Sequence, residues 1–192
     1  GTFMREWTSL YESKSGERGI FNRQAAKVKA LENGRRNADH YFGCNPCSEI
    51  ILRPYQFCNL TEVVCRETDD IETLKNKVRL ATILGTFQST LTRFKYLRKV
   101  WKDNTEEERL LGVSLTGILD CPVVAPDNSN LKSNLEMLRA VAVETNKKIA
   151  KDLDIPQSTA ITSLIIVTWP VSMSISISAN CAAKGAGHSG ET

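Results

Sequence analysis

The sequence lacks the long apolar runs, the leader-like N-terminus and the charge imbalance that mark several classes of protein. No run approaches the roughly 20 apolar residues that a membrane helix needs. The N-terminus lacks the charged-then-apolar layout of a signal peptide. The net charge of +3, from 25 basic and 22 acidic residues, is too small to indicate binding to nucleic acid or to a membrane surface. We therefore expect neither a membrane nor a nucleic acid as partner.

The cysteine pattern lacks a complete metal site. The six cysteines could form three disulfides in a secreted protein, but no secretory signal precedes this fairly long chain. A reducing cytoplasm with catalytic or unpaired thiols is the better interpretation. Cys44 and Cys47 form a C-x-x-C pair, which could be half of a zinc site. A second such pair, or a His pair at ligand spacing, is missing, so we predict no metal. The remaining cysteines, Cys65, Cys121 and Cys181, are interpreted with Cys44 as passive thiols.

Length and composition indicate a folded chain. The 192 residues suffice for one ordinary domain with a core. With 41% hydrophobic and 24% charged residues, disorder is not the default expectation. The first residue is Gly1 rather than Met, which suggests a fragment or a processed chain.

Hydrophobic periodicity and capping residues predict helices that alternate with short extended segments, which is typical of an α/β piece. We expect helices over 3–12, 22–32, from Asp70 to about 95, and 131–153. Thr105 and Glu108 resemble a capping box, which predicts a further helix from Thr105 towards residue 119. Segment 37–59 is expected to be extended or looped, 60–64 is predicted to be a short strand or turn, and a strand is predicted over 171–178.

Segment 43–60 contains the most concentrated set of reactive side chains. The thiol of Cys47 lies between the carboxamide of Asn45 and the carboxylate of Glu49, at alternate positions. Successive side chains of extended backbone point to opposite faces, so these three would share one face if the segment is extended. A second thiol, Cys58, follows downstream. This combination indicates a reaction centre more readily than a packing motif.

Five short motifs follow one another along the chain: SKSGERGIFNR (13–23), NPCSEI (45–50), FCNLTE (57–62), EERLLGVSLTG (107–117) and PQSTAIT (156–162). In this order they resemble ribonucleotide reductases, and the second and third resemble the active-site finger loop of that family. The Asn-Pro-Cys form, with the link LRPYQ (52–56), most resembles the adenosylcobalamin-dependent branch. The resemblance covers residues 1–162, a partial catalytic barrel, and leaves 163–192 as a divergent C-terminal segment.

The resemblance implies a fold and a chemistry. The family fold is a ten-stranded α/β barrel with the thiol on an internal loop, and this chain is too short to form that barrel alone. Adenosylcobalamin, bound mainly by regions absent here, would generate a thiyl radical at Cys47 that takes the 3′ hydrogen of a ribonucleotide. Glu49 would act as general base, and Asn45 would hydrogen-bond the substrate hydroxyls. Cys58 would be one of two thiols that supply the reducing equivalents. A thioredoxin-type partner would then re-reduce the disulfide.

The sequence departs from the family pattern after Thr162, where the phosphate-binding Pro-Ser-Gly-Thr loop of the family is missing. We therefore expect a catalytic-loop fragment that is inactive without a complementary reductase chain. Three alternatives remain open: the large subunit of a reductase that takes its radical from a separate metal-containing subunit, a noncatalytic metal-binding or interaction module built on Cys44 and Cys47, and a nonfunctional remnant. The choice between diphosphate and triphosphate substrates also stays open.

Overall fold

The computed structural model describes residues 1–14, 21–32, 34–46 and 50–162. The predicted strand over 171–178 and the divergent segment after Thr162 lie outside these residues. Within them, helices and strands are mixed along the chain. The helices are α1 (Thr2–Ser13), α2 (Arg23–Glu32), α3 (Ile71–Gln88), α4 (Lys99–Glu108) and α5 (Leu131–Asp152), and a 3-10 turn spans Ile118–Asp120. The strands are β1 (Gly43–Cys44), β2 (Ile51–Leu52), β3 (Asn59–Val64), β4 (Leu111–Thr116) and β5 (Ile161–Thr162).

A parallel three-stranded sheet, in the order β3-β4-β5, forms the centre of the larger module. β4 lies in the middle, with Asn59 opposite Leu111 on one side and Leu111 opposite Ile161 on the other. Residues 111–115 of β4 are all buried, as expected for a central parallel strand. A short strand or turn is predicted over 60–64, and the structure forms the strand.

Helices α3 and α5 pack against each other, and their buried sides cover one face of this sheet. Asp70 begins α3 by accepting a hydrogen bond from the backbone N–H of Thr73 at 2.7 Å, as predicted for a cap. The helix predicted over 131–153 is confirmed as α5. The core between these elements is made by a set of buried apolar side chains: Val63, Leu74, Val78, Leu111, Val113, Leu115, Leu138 and Ala142.

The apolar period of the sequence predicts one stripe along α3, and this prediction is correct only in the first half of the helix. The predicted stripe contains Ile71, Leu74, Val78, Ala81, Ile83 (or Leu84) and Phe87. Leu74, Val78 and Ala81 are buried, but Leu84 and Phe87 are exposed. Thr82, Gly85 and Thr86 are buried in their place. A methyl group at Gly85 would meet Leu111 and Thr61 at an ordinary contact distance of 3.5 Å. The hydroxyls of Thr82 and Thr86 donate to the carbonyls of Val78 and Thr82, so that neither is left unsatisfied.

The prediction that α3 runs to about residue 95 is wrong, because the helix ends at Gln88. The hydroxyls of Ser89 and Thr90 donate to the carbonyls of Thr86 and Phe87, and so satisfy carbonyls that a longer helix would use. Arg109 then donates to the carbonyl of Ser89 at 2.6 Å. Side-chain hydrogen bonds to the backbone thus replace the next helical turn.

The helix predicted from Thr105 towards residue 119 is also wrong. Thr105 lies in the last turn of α4, and Glu108 is its final residue. Arg109 adopts a left-handed conformation, with φ 44°, and its N–H donates to the carbonyl of Thr105, which ends the helix. The chain then enters β4. Thr105 and Glu108 have the spacing of a capping box, but they lie at the C-terminal end of a helix. The side chain of Glu108 makes a contact that is far away in sequence instead of capping a helix.

A smaller module is formed by α2 and the β1–β2 hairpin. Asn22 begins α2 by accepting from the N–H of Ala25 at 2.9 Å, as predicted, and Gly34, with φ 63°, follows the helix. Ala26, Ala30, Ala38 and Phe42 form its buried cluster. Helix α1, also predicted, has no buried residue. In the described part of the chain, no helix combines the length and apolarity that crossing a membrane requires.

One side of β3 is exposed within the part of the chain that the structure describes. Leu60 and Val64 are 48% and 45% exposed, and Glu62, which lies between them, is exposed as well. Parallel sheets are normally covered on both faces. The described residues therefore form a mixed helix-and-strand unit with this side of β3 open to solvent, and the ten-stranded barrel stays a prediction.

Candidate active site

The reactive segment forms a hairpin whose ends are tied together. Gly43 pairs with Leu52 and Cys44 with Ile51 in antiparallel register. Beyond these pairs, the N–H of Asn45 donates to the carbonyl of Ile50 at 3.3 Å. The side-chain oxygen of Asn45 in turn accepts from the N–H of Ile50 at 3.0 Å. These two hydrogen bonds join Asn45 to Ile50 at the base of the segment that begins at Pro46. We call this pair of hydrogen bonds the Asn45 clamp.

Cys47 and Glu49, the predicted thiyl and base residues, lie outside the described residues. Asn45 and Cys58, the other two predicted site residues, are described. The strands that flank this segment, β1 and β2, are antiparallel. A shared face for Asn45, Cys47 and Glu49 is expected only if the segment is extended, and it stays a prediction. The structure describes the two hydrogen bonds that join Asn45 to Ile50.

A buried carboxylate anchors this hairpin to the parallel sheet. Nε and Nη2 of Arg36 donate to Oε1 and Oε2 of Glu108 at 2.9 and 2.8 Å. Both side chains are almost fully buried, at 4% and 3% exposure. Nη1 of Arg36 donates to the carbonyl of Ile51, the residue after the loop, at 2.9 Å. The carbonyl of Glu108 accepts from the N–H of Thr159 at 2.9 Å, just before β5. Glu108 thus joins the hairpin to the sheet.

The protonation of Glu108 is set by opposing effects. Burial raises the pKa of its carboxyl, but hydrogen bonds and charge from Arg36, a hydrogen bond from Gln56 and the charge of Arg53 outweigh burial. The net result is a pKa below the ordinary value. Glu108 is therefore held as a carboxylate, which suits a fixed anchor rather than a proton carrier.

The link between the hairpin and β3 is bound to α4. Nη1 and Nη2 of Arg53 donate to Glu107 and Asn104 at 2.8 and 3.0 Å. The amide of Asn104 returns a hydrogen bond to the carbonyl of Pro54 at 2.9 Å. Gln56 accepts from the N–H of Arg53 and donates to Glu108. The link is thus fixed at both its backbone and its side chains.

Cys58 lies immediately before β3 and is half-buried. The next residue, Asn59, fixes this end of the strand, because its backbone N–H and its side-chain amide both donate to the carbonyl of Leu110, at 2.9 and 3.1 Å. On the other side, Phe57 stacks on Trp101 with ring centroids 4.6 Å apart. The predicted redox thiol therefore lies on backbone that is held on both sides.

Two other cysteines are core residues, as predicted for passive thiols. Cys65 and Cys121 are buried, with 2% and 0% exposure. Burial raises the pKa of Cys65 to about 11, with smaller contributions from Cys121 and Asp69. Cys65 is therefore held in the thiol form, which is the unreactive form of cysteine, and Cys121 is inaccessible because it is fully buried. Cys181 lies outside the described residues.

No group of three or more His, Cys, Asp or Glu side chains that could hold a metal ion is found among the described residues. His40 packs edge-on against Phe42 with ring centroids 6.1 Å apart, and its Nε2 is buried without a hydrogen-bond partner. A lone His is expected to be structural or solvated, and this ring contact favours a structural role for His40.

The sequence analysis gives no role to Arg36 and assigns Glu108 to a helix cap. Arg36 and Glu108 are 72 positions apart, and their pairing is visible only after folding. Gln56 and Glu108 both lie in segments that resemble the family, the link 52–56 and the motif 107–117, and this shared resemblance is the one local signal of the contact between them.

One comparison with known proteins gives a match. The chain is similar to the adenosylcobalamin-dependent ribonucleoside-triphosphate reductase of Lacticaseibacillus paracasei, with 32% identity over 116 residues. The match covers 58% of this chain and 15% of that protein, so the chain spans a small part of its relative's length. No protein-family model matches the chain. No solved structure matches it either. The match supports a relationship to ribonucleotide reductases over the matched residues.

Proposed function

We propose that this chain carries the active-site thiol loop of a ribonucleotide reductase, which converts ribonucleotides to 2′-deoxyribonucleotides. The observation that carries the proposal is the match to a ribonucleoside-triphosphate reductase over more than half of the chain. The clamped hairpin supports it, because a reactive side chain must be held close to its working position, and a loop tied at its base and anchored by a buried ion pair meets that need.

Three residues would perform the reaction. Cys47, in the loop, would carry the thiyl that removes the 3′ hydrogen of the ribose. Glu49 would take the proton of the 3′ hydroxyl, and would need to lie within hydrogen-bond reach of it. Cys58 would be one of two thiols oxidised to a disulfide as the 2′ carbon–oxygen bond is replaced by carbon–hydrogen and water is released. A thioredoxin-type protein would return the two electrons.

Asn45 has a narrower role in this proposal than the resemblance implies. Its side-chain oxygen accepts from Ile50, so this atom is used by the hairpin. We propose that Asn45 acts mainly by shaping the loop that bears Cys47 and Glu49. Contact with substrate would fall to its amide group.

The cofactor of the relative, adenosylcobalamin, has no site among the described residues. One cavity among these residues measures about 500 Å³, which is the size of a small-ligand pocket. We propose that such a cofactor, if used, is held by other polypeptide, and that its cobalt–carbon bond would supply the radical. The relative's name makes ribonucleoside triphosphates the substrates to test first.

We propose further that the chain works with complementary polypeptide. The open side of β3 at Leu60 and Val64 supports this, because a barrel would cover it. Substrate phosphates would also be bound elsewhere, since no Pro-Ser-Gly-Thr sequence occurs in the chain.

A chimera tests the proposal. The segment of the Lacticaseibacillus paracasei reductase that matches this chain is replaced by the corresponding residues of this chain, and the formation of deoxyribonucleoside triphosphate is measured. We expect product in the presence of adenosylcobalamin and a dithiol reductant. Glu49→Gln should abolish turnover, because the amide cannot accept the hydroxyl proton.

Glu67→Gln is the matched control, because Glu67 is an exposed carboxylate in the turn after β3, outside the motifs that resemble the finger loop. It should leave turnover within about twofold of the parent chimera, since exposed surface substitutions are usually mild. Equal losses from the two substitutions would refute the assignment of Glu49. A folded chimera without any activity would count against the functional equivalence of the segment.

A further inference from the structure

The turn between α3 and α4 and the start of α4 line an open, solvent-facing cavity that the proposed reaction does not use. Its volume is about 500 Å³, within the range of small-molecule sites. The wall is formed by the turn residues and by the first turn of α4: Thr90, Leu91, Thr92, Arg93, Phe94, Lys95, Leu97, Arg98, Lys99 and Lys102.

The charge of this wall has one sign. Five of its ten residues are basic and none is acidic. The nearby carboxylates neutralise only part of this charge: Asp103 pairs with Lys99 at 2.7 Å, and Glu106 lies 3.8 Å from Lys102. Within the described part of the chain, Arg93, Lys95 and Arg98 have no carboxylate partner. Charges concentrated around a concave surface raise the local concentration of the opposite ion.

The geometry of the wall is partly fixed. The guanidinium of Arg98 lies 4.4 Å from the centre of the Tyr55 ring, which orients it without neutralising its charge. Phe94 packs edge-on against Phe57 at 5.2 Å. Arg98 precedes α4 without a side-chain cap, and the first turn of α4 has no acidic residue, so the positive end of this helix adds to the field.

We propose that this cavity binds the phosphate chain of a di- or triphosphate. Arginine and lysine side chains recognise phosphate oxygens through short, charge-assisted hydrogen bonds. Phe94, Leu91 and Leu97 supply an apolar wall beside the cations, which suits a ligand that joins an aromatic or apolar group to its phosphates. This site is distinct from the Cys47 loop and stands whether or not the chain reduces ribonucleotides.

The binding test uses the 192-residue chain and isothermal titration calorimetry. Sodium tripolyphosphate is the probe for phosphate alone, and ATP is the probe for a nucleotide. We expect saturable binding of one tripolyphosphate per chain. The double substitution Arg93→Glu with Lys95→Glu should weaken this binding by about tenfold or more, because two charge-assisted contacts are lost. Both residues are exposed, so the fold should be retained, which circular dichroism checks.

The matched control is Lys147→Glu with Lys148→Glu, an equal change of charge on exposed residues of α5. It should leave binding within about twofold, allowing for the weaker overall field. Tighter binding of ATP than of tripolyphosphate would identify a nucleotide as ligand, and equal binding would assign the site to the phosphate chain alone. An equal loss in both double variants, or no saturable binding of either probe, would overturn the proposal.

Discussion

Arg36 and Glu108 form a two-bond ion pair that is almost fully removed from solvent, with N–O distances of 2.9 and 2.8 Å. The pair lies where the hairpin with the candidate thiol loop meets the end of α4. Because Arg36 also donates to the carbonyl of Ile51, the position of the loop depends on the charge of Glu108. Both the stability of the chain and its dependence on pH should therefore change when Glu108 is replaced.

Removing the charge of Glu108 should be costly. Glu108→Gln leaves the Arg36 guanidinium buried without a counter-ion, and such a loss typically lowers the free energy of unfolding by about 3–5 kcal/mol. Urea unfolding followed by circular dichroism measures it. The control is Glu107→Gln, which removes a neighbouring carboxylate that is 58% exposed and paired with Arg53. That change should cost less than about 1 kcal/mol, and similar losses from the two variants would contradict the anchor role.

The contribution of Glu108 should depend on pH in a defined direction. The pKa of Glu108 is lowered from its ordinary value of 4.5, so the stabilisation is present above 4.5 and is lost as the pH falls through the lower folded-state pKa. The difference in free energy of unfolding between the parent chain and Glu108→Gln should therefore be constant near neutral pH and shrink in acid. If the difference in free energy of unfolding grows as the pH falls, the pKa of Glu108 is not lowered in the folded state, and this prediction is contradicted.

Asn45 should stabilise the hairpin through its side-chain oxygen. Asn45→Ala removes the acceptor for the Ile50 N–H and should lower the free energy of unfolding by about 1 kcal/mol. Asn45→Asp keeps an oxygen at that place and should lose less. Hydrogen exchange at the Ile50 amide gives a local readout, with faster exchange expected in the alanine variant. Unchanged protection in Asn45→Ala would show that the clamp is unimportant.

Two glycines should respond in opposite ways to alanine. At Gly85 the added methyl meets Leu111 and Thr61 at ordinary contact distance, so Gly85→Ala should raise stability by about 1 kcal/mol through helix propensity. At Gly117, with φ 72°, the methyl would lie 2.5 Å from the backbone oxygen of Cys65. Gly117→Ala should therefore lower stability by more than about 2 kcal/mol. Thermal unfolding of both variants measures the contrast, and shifts of the same sign would contradict it.

Thiol reactivity should separate the core cysteines from the rest. Burial and a pKa of about 11 keep Cys65 as a thiol at neutral pH, and Cys121 is equally inaccessible. Alkylation by iodoacetamide, read by peptide mass spectrometry, should leave both unmodified in the native chain and modify both in urea. Cys58, which is half-buried, should react faster than either. Rapid native labelling of Cys65 would contradict the packing described.

The sequence predicted those elements whose signals are local. Asn22 and Asp70 cap helices where the pattern placed them, and α5 follows its apolar period. Local signals failed where a side chain is used for a distant contact. Glu108 matched a capping box but pairs with Arg36, and the end of α3 is fixed in part by Arg109. The same distinction holds for the candidate site. Its residue types are visible in the sequence, whereas the ion pair that supports the loop joins residues distant in sequence and is not.

The most direct test of the central claim is the deoxyribonucleotide yield of the chimera with Cys47→Ser, compared with Cys44→Ser. Cys44 is the neighbouring thiol at the base of the same hairpin, so both changes replace sulfur by oxygen within a few residues. If Cys47 carries the radical, Cys47→Ser abolishes product formation, and Cys44→Ser retains most of it. Product formation that survives Cys47→Ser would contradict the account.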